Sequence, residues 1–321
     1  MGRRVFVASV AVVLLMVFVC GCSTTQQADD VGGSISSVQT VVLDAPSVGR
    51  SMRFNLVLPK DYGQSEKRYP VLYLLHGYGG NYTGWIQDGV ADYAADYDLI
   101  VVVPDSGNSW YANWKVSEDG MKNNWEDYIV KDVVGYIDSH YRTISACQGR
   151  AIGGLSMGGY GAMVIGLRNP EMFCSIACHS GALSYGRKFA ERLKKNEPVS
   201  PVGTRPDWMS DFDIPGFGTY LERSPKGQIV TSVKEADAID PFKLVLELAE
   251  GDRPDIYIVC GRSDFLFDDF EAFGEHLREN DITHTYRVSD GAHTHEYWGR
   301  EVRYSMAHQY QVIQRSLKAK P

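Results

Sequence analysis

The chain has 321 residues, 44% hydrophobic and 22% charged. That length and composition suffice for one large packed domain or two small ones and exclude a disordered or collagen-like chain. Acidic residues outnumber basic ones 40 to 32, and no Lys/Arg run crosses the body of the chain, so the electrostatic footprint of a nucleic-acid binder is missing and no nucleic-acid partner is expected.

The first segment reads as an export signal. Arg3 and Arg4 precede the apolar run Val5 to Val19, a charged region followed by a hydrophobic one. Its 15 residues are short of the roughly 20 that a spanning helix needs. The run ends in Val19-Cys20-Gly21-Cys22-Ser23, which resembles the lipobox of bacterial lipoproteins and implies a leader over 1–21 and lipidation at Cys22, against an ordinary signal peptide cleaved nearby. Either reading exports the protein, and lipidation anchors it to the membrane of the cell envelope. Removing 1–21 takes away Arg3 and Arg4 and no acid, shifting the formal charge from −8 to −10. Residues 22–37 are polar and aperiodic, as a tether is.

From residue 38 the body begins. Strands are expected at 38–43, 52–58, 70–75, 98–103, 150–155, 174–179, 255–260 and 284–289. Runs such as Val71-Leu72-Tyr73-Leu74-Leu75 are apolar at every position, the pattern of strands covered on both faces. Helical periodicity places Trp125, Ile129, Val133, Tyr136, Ile137 and His140 on one stripe and predicts further helices at 157–168, 267–279 and 297–317. Alternating strands and helices predict an α/β domain over 38–321, a mostly parallel sheet with helices on both faces. Residues 184–250 break the alternation with Pro198, Pro201, Pro206, Pro215 and Pro225 among polar residues and no buried strand, and read as a cap-like insertion. Cys147, Cys174, Cys178 and Cys260 are too few and dispersed for a disulfide framework and read as buried small hydrophobes.

Gly154-Leu155-Ser156-Met157-Gly158 fits the G-x-S-x-G nucleophile elbow, with an apolar strand leading in and a helix leading out. The competing reading is a glycine-rich helix start capped by Ser156. A serine nucleophile needs a base and a group to orient it, in the chain order Ser, Asp or Glu, His. Asp264 follows the strand 255–260 at its C-terminal edge, whereas Asp268 and Asp269 begin a helix. His293 and His295 both follow the strand 284–289; His293 is favoured because it comes straight after the Gly291-Ala292 turn, while His295 lies nearer the final helix. A metal site at His293-x-His295-Glu296 would need a third ligand, and none is near in sequence. His76-Gly77-Tyr78-Gly79-Gly80 after a buried strand supplies the other half of an oxyanion hole, the Tyr78 N–H, to pair with that of Met157. Chemistry of this kind needs neither metal nor organic cofactor.

The combination of His76-Gly77-Tyr78-Gly79-Gly80, Pro104-Asp105 with Ser109-Trp110-Tyr111-Ala112-Asn113, Gly154 to Ala162, Cys260 to Asp264 and Gly291-Ala292-His293 resembles the esterase D superfamily over roughly residues 40–317. That family includes feruloyl, acetyl-xylan and tributyrin esterases, S-formylglutathione hydrolases and mycolyltransferases. The resemblance implies an α/β-hydrolase fold and a serine esterase using Ser156, His293 and Asp264 on short-chain acyl or aryl esters, free or polysaccharide-linked. An acyltransferase and a non-catalytic surface module are the alternatives. Many members carry a Trp one residue after the one following the catalytic His; here Thr294-His295 stands there. Trp85, Trp110, Tyr111, Trp114 and Trp125 are expected near the substrate end of the sheet, with Trp110 and Tyr111 as substrate contacts and packing as the alternative for each.

Overall fold

A computed structural model describes residues 37–197 and 224–319, together with the backbone of Asp213–Ile214 and Gly218–Thr219. The leader, Cys22 and nearly all of the tether lie outside the described residues. Eight strands form the main sheet: β1 (Val38–Ala45), β2 (Arg50–Val57), β3 (Val71–Leu75), β4 (Ile100–Pro104), β5 (Arg150–Leu155), β6 (Ser175–His179), β7 (Asp255–Gly261) and β8 (Thr285–Ser289). Their order is β1-β2-β4-β3-β5-β6-β7-β8, with β1/β2 and β2/β4 antiparallel and the rest parallel. That is the α/β-hydrolase sheet. Each expected strand is present with its ends moved by no more than two residues.

The period of two decides what lies on each face. Val71, Tyr73, Leu75, Ile152, Ile176 and Ile258 enter one core, while Leu72, Leu74, Ala151, Ala177 and Val259 enter the other. The first core is closed by helices α1 (Met157–Arg168) and α3 (Phe267–Glu279), the second by α4 (His295–Lys318) through Trp298, Val302, Met306 and Ile313. Both faces being covered explains why the central strands read as unbroken apolar runs.

The helical stripe beginning at Trp125 departs from expectation at its end. Between Trp125–Asp127 and Val134–His140 the chain makes a π-helical turn, Tyr128–Val133. The wider turn shifts the phase of the 3.6-residue repeat. Val133, Val134 and Ile137 therefore face the core, Tyr136 is only partly buried, and His140 is exposed and stacked on Tyr136. The thiols also depart in part: Cys178 and Cys260 are buried, but Cys147 and Cys174 are only half-buried, and all four are free.

Within 184–250 the described residues form helix α2 (Tyr185–Lys194) and the short helices Val233–Asp237 and Pro241–Glu247. Gly227–Gln228 pairs antiparallel with Val116–Ser117, tying this stretch to the loop after β4. Two-residue strands carry no readable periodicity, and the sequence predicts neither. Tyr160 of α1 donates to the Ile239 carbonyl at 2.8 Å, and Phe242 packs edge-on against Phe273 of α3.

Candidate active site

Ser156 sits in the turn between β5 and α1 with φ 54° and ψ −117°, a conformation that L-residues rarely adopt and that holds the side chain away from the turn. The backbones pass too close there for any side chain at the flanking positions. A Cβ on Gly154 would meet the carbonyl oxygens of Gly158 and Leu75, the latter at 2.9 Å, and one on Gly158 would meet those of Leu75 and His76, the latter at 2.6 Å. The elbow glycines are thus a packing requirement. The Ser156 N–H donates to the His179 carbonyl at 2.9 Å, fixing the turn to β6.

The structure brings Ser156, His293 and Asp264 together. Ser156 Oγ lies 2.9 Å from His293 Nε2, and His293 Nδ1 lies 2.9 Å from each Asp264 oxygen. Asp264 is buried, and its Oδ1 also accepts from the Leu266 N–H at 2.8 Å. A carboxylate can only accept, so Nδ1 carries the proton and Nε2 is the acceptor facing the Ser156 hydroxyl. Phe265 lies 4.4 Å from the His293 ring, and Trp298 meets it edge-on at 4.7 Å.

Across the cavity the turn after β3 is pinned from several sides. Ser106 N–H donates to His76 Nε2 at 3.1 Å, so Nδ1 bears the proton and donates to the Gly77 carbonyl at 2.8 Å. Gly80 N–H reaches the same oxygen at 3.0 Å. In a trans peptide the next N–H, that of Tyr78, points opposite to the carbonyl so held. Gly77 approaches the elbow closely: a Cβ there would meet Leu155 Cδ1 at 2.5 Å and Ser156 Cβ at 3.3 Å. Met157 is the first residue of α1, where helix N–H groups lack intrahelical partners.

These groups border a cavity of about 510 Å³, lined mostly by apolar side chains including Tyr78, Trp85, Trp110, Tyr185, Phe265 and Trp298. Trp110 lines it, with its ring stacked on Tyr185 at 3.6 Å and 7% exposed. Tyr111 does not. It is 1% exposed, lies over Gly161 of α1 and donates its hydroxyl to the His76 carbonyl at 3.0 Å. Trp110 and Tyr111 both have positive φ, 58° and 54°, so consecutive side chains diverge, one to the cavity and one beneath it. Trp114 and Trp125 belong to the core, while Trp85 both lines the cavity and donates to the Leu75 carbonyl at 3.0 Å. Thr294 caps α4, accepting from the Tyr297 N–H at 3.3 Å. Tyr185, Phe265 and Trp298 are cavity residues that sequence reasoning missed; Trp298 fits the α4 stripe and reads there as core, and Phe265, 69% exposed, carries no pattern beyond standing next to Asp264.

Next to the Ser156 turn, burial lowers the pKa of His179 from 6.5 to about 4; its Nε2 bonds the Ser305 hydroxyl at 2.8 Å. Between those values the unfolded chain binds a proton that the folded chain refuses, so this contribution is complete above pH 6.5 and is lost as pH falls toward 4. It amounts to roughly 3 kcal/mol. Acidification from pH 7 to 4.5 should lower the melting temperature more in the wild type than in His179→Gln; equal losses would contradict this.

Residues 45–304 match the family model described as "Putative esterase". Over 146 residues, 44% of its length, the chain is 37% identical to an esterase of Mycobacterium tuberculosis (strain ATCC 25618 / H37Rv), and it spans only 32% of that relative. It is 26% identical over 232 residues to the acetyl esterase of Caldicellulosiruptor saccharolyticus, 72% of this chain and 79% of that one. Among solved structures, a ferulic acid esterase 26% identical aligns with a TM-score of 0.64 over 88% of this chain and 100% of its own. The S-formylglutathione hydrolase of Agrobacterium tumefaciens, 18% identical, aligns at 0.69 over 88% and 97%, a likeness of fold. A match that runs from the end of β1 into α4, on a sheet with the α/β-hydrolase strand order, makes this chain a member of that esterase family.

Proposed function

We propose that the chain is an exported serine carboxylic-ester hydrolase. The observation that carries the reading is the continuous hydrogen-bonded chain from Ser156 through His293 to buried Asp264, opening on an apolar cavity. Ser156 Oγ attacks the ester carbonyl carbon as its proton passes to His293 Nε2, and Asp264 stabilises the imidazolium so formed. The Tyr78 and Met157 amides donate to the developing oxyanion. Collapse of the tetrahedral intermediate breaks the bond to the alcohol, which takes the proton from His293 and leaves the acyl group on Ser156. Water, deprotonated by His293, then attacks the acyl-enzyme, and Ser156 regains its proton as the acid leaves.

The cavity volume and its aromatic walls suit short-chain acyl and aryl esters, feruloyl esters among them, free or carbohydrate-linked, with Trp110 as a substrate contact. Release of acid from 4-nitrophenyl acetate, 4-nitrophenyl butyrate and methyl ferulate tests the reading. Added methanol or glucose separates hydrolysis from transfer: an acid product throughout supports the hydrolase, and a new ester as the main product supports a transferase. No turnover of any ester would count against both.

Lipidation at Cys22 would hold the enzyme at the cell envelope. Cys22→Ala should move the protein from the membrane to the soluble fraction, with loss of an acyl mass from the N-terminal peptide. Unchanged fractionation and no acyl mass in the wild type would refute the anchor.

A further inference from the structure

His295 is a polar cavity residue that the ester chemistry leaves unused, and its surroundings repeat those of His293. Standing first in α4, it directs its ring to the turn after the short helix Gly84–Gln87, where Nδ1 lies 2.9 and 3.1 Å from the two Asp88 oxygens. The Asp88 side chain is 6% exposed. A carboxylate accepts, so Nδ1 carries a proton, and Nε2 has no hydrogen-bond partner among the described residues. The ring lies over Gly84, which offers no side chain to cover it, and meets Trp298 edge-on at 5.2 Å, the same Trp298 that packs against His293. Gly84, Trp85, His295, Trp298 and Ser156 border one cavity.

We propose that His295, oriented by Asp88, is a specificity-determining residue whose Nε2–H donates a hydrogen bond to an oxygen of the substrate other than those of the scissile ester. This rests on the hydrolase reading and names what that site selects: esters carrying a hydroxyl, methoxy or ring oxygen over their hydrocarbon counterparts. A neutral oxygen fits better than a carboxylate because the cations at the cavity are already compensated, His295 by Asp88 and Lys188 by Asp269 at 3.0 and 3.1 Å. The His295 side chain is 60% exposed, so water satisfies the donor when a hydrocarbon substrate cannot, and the discrimination is the net worth of one charge-assisted hydrogen bond.

The hydrogen bond to Asp88 raises the His295 pKa above 6.5, and burial partly offsets it. The charged or titratable groups around it are Asp88 from the preceding turn, His293 from the adjoining loop, Glu296 beside it on α4, and the Lys188–Asp269 pair on the same cavity. Protonated, His295 presents an N–H at Nε2; neutral, with Nδ1–H kept on Asp88, it presents a lone pair. Selection for an acceptor oxygen therefore weakens as pH rises through the raised value.

Two matched series test this by kcat/KM ratio. On the acyl side, methyl 4-hydroxycinnamate and methyl ferulate are set against methyl cinnamate; on the alcohol side, an acetylated methyl glycoside is set against cyclohexyl acetate. The wild type should favour the oxygenated member about tenfold in one series, less at pH 8.5 than at pH 5.5. His295→Leu should bring that ratio near one and Asp88→Asn should reduce it. His295→Gln, whose amide still donates, should retain part of it without the pH dependence. Ratios equal in the wild type and His295→Leu in both series would overturn the assignment. Fluorophosphonate labelling of Ser156 in each variant reads the hydrolase assignment separately.

Discussion

His293→Ala should lower kcat by roughly six orders of magnitude, about as much as Ser156→Ala, because nucleophile and base act as one unit. The loss is one of proton transfer: His293 Nε2, 2.9 Å from Ser156 Oγ, is the acceptor in line with the hydroxyl. His295→Ala should fall short of that loss by orders of magnitude, since the carboxylate its Nδ1 meets is that of Asp88 and its Nε2 does not bond Ser156. Steady-state rates on 4-nitrophenyl acetate for the three variants check this ranking. A dead His295→Ala beside an active His293→Ala would reverse the two histidines' roles.

Asp264→Asn should lower kcat by about 10⁴-fold while keeping the fold. The Leu266 N–H holds Oδ1 at 2.8 Å, so an amide at this position keeps its oxygen there and turns its NH₂ group toward His293 Nδ1, where Oδ2 now sits at 2.9 Å. A donor facing Nδ1 forces the proton to Nε2. The imidazole then presents an N–H to Ser156 and has no lone pair to accept its proton. The melting temperature should change little, and rates on the same ester read the loss. A variant keeping more than a tenth of wild-type turnover would mean that Asp264 does not set the tautomer.

How far the sequence alone reached follows from which constraints are local. The central strands are legible because both faces of the sheet are buried, and the elbow is legible because its glycines answer backbone contacts that no side chain fits. The order of Ser156, Asp264 and His293 along the chain reflects the strand ends that carry them, so the three could be named before their distances were known. Contacts made at long range were not legible. The π turn at Tyr128–Val133 changes which residues of a helix face inward without changing composition. Tyr111 and Trp110 differ only by one step along a loop with two successive positive φ angles, and one lines the cavity while the other braces His76. The Asp88–His295 pair joins residues 207 positions apart and leaves no mark in either local segment.

Mass spectrometry of the protein treated with a fluorophosphonate reads out whether Ser156 is the nucleophile. Attack by Ser156 Oγ on phosphorus expels fluoride and leaves one phosphonyl group, so a single adduct should map to Ser156, fail to form in Ser156→Ala and form far more slowly in His293→Ala. An unmodified Ser156 in a protein that still hydrolyses esters, or an adduct on another residue with matching loss of activity, would contradict that role.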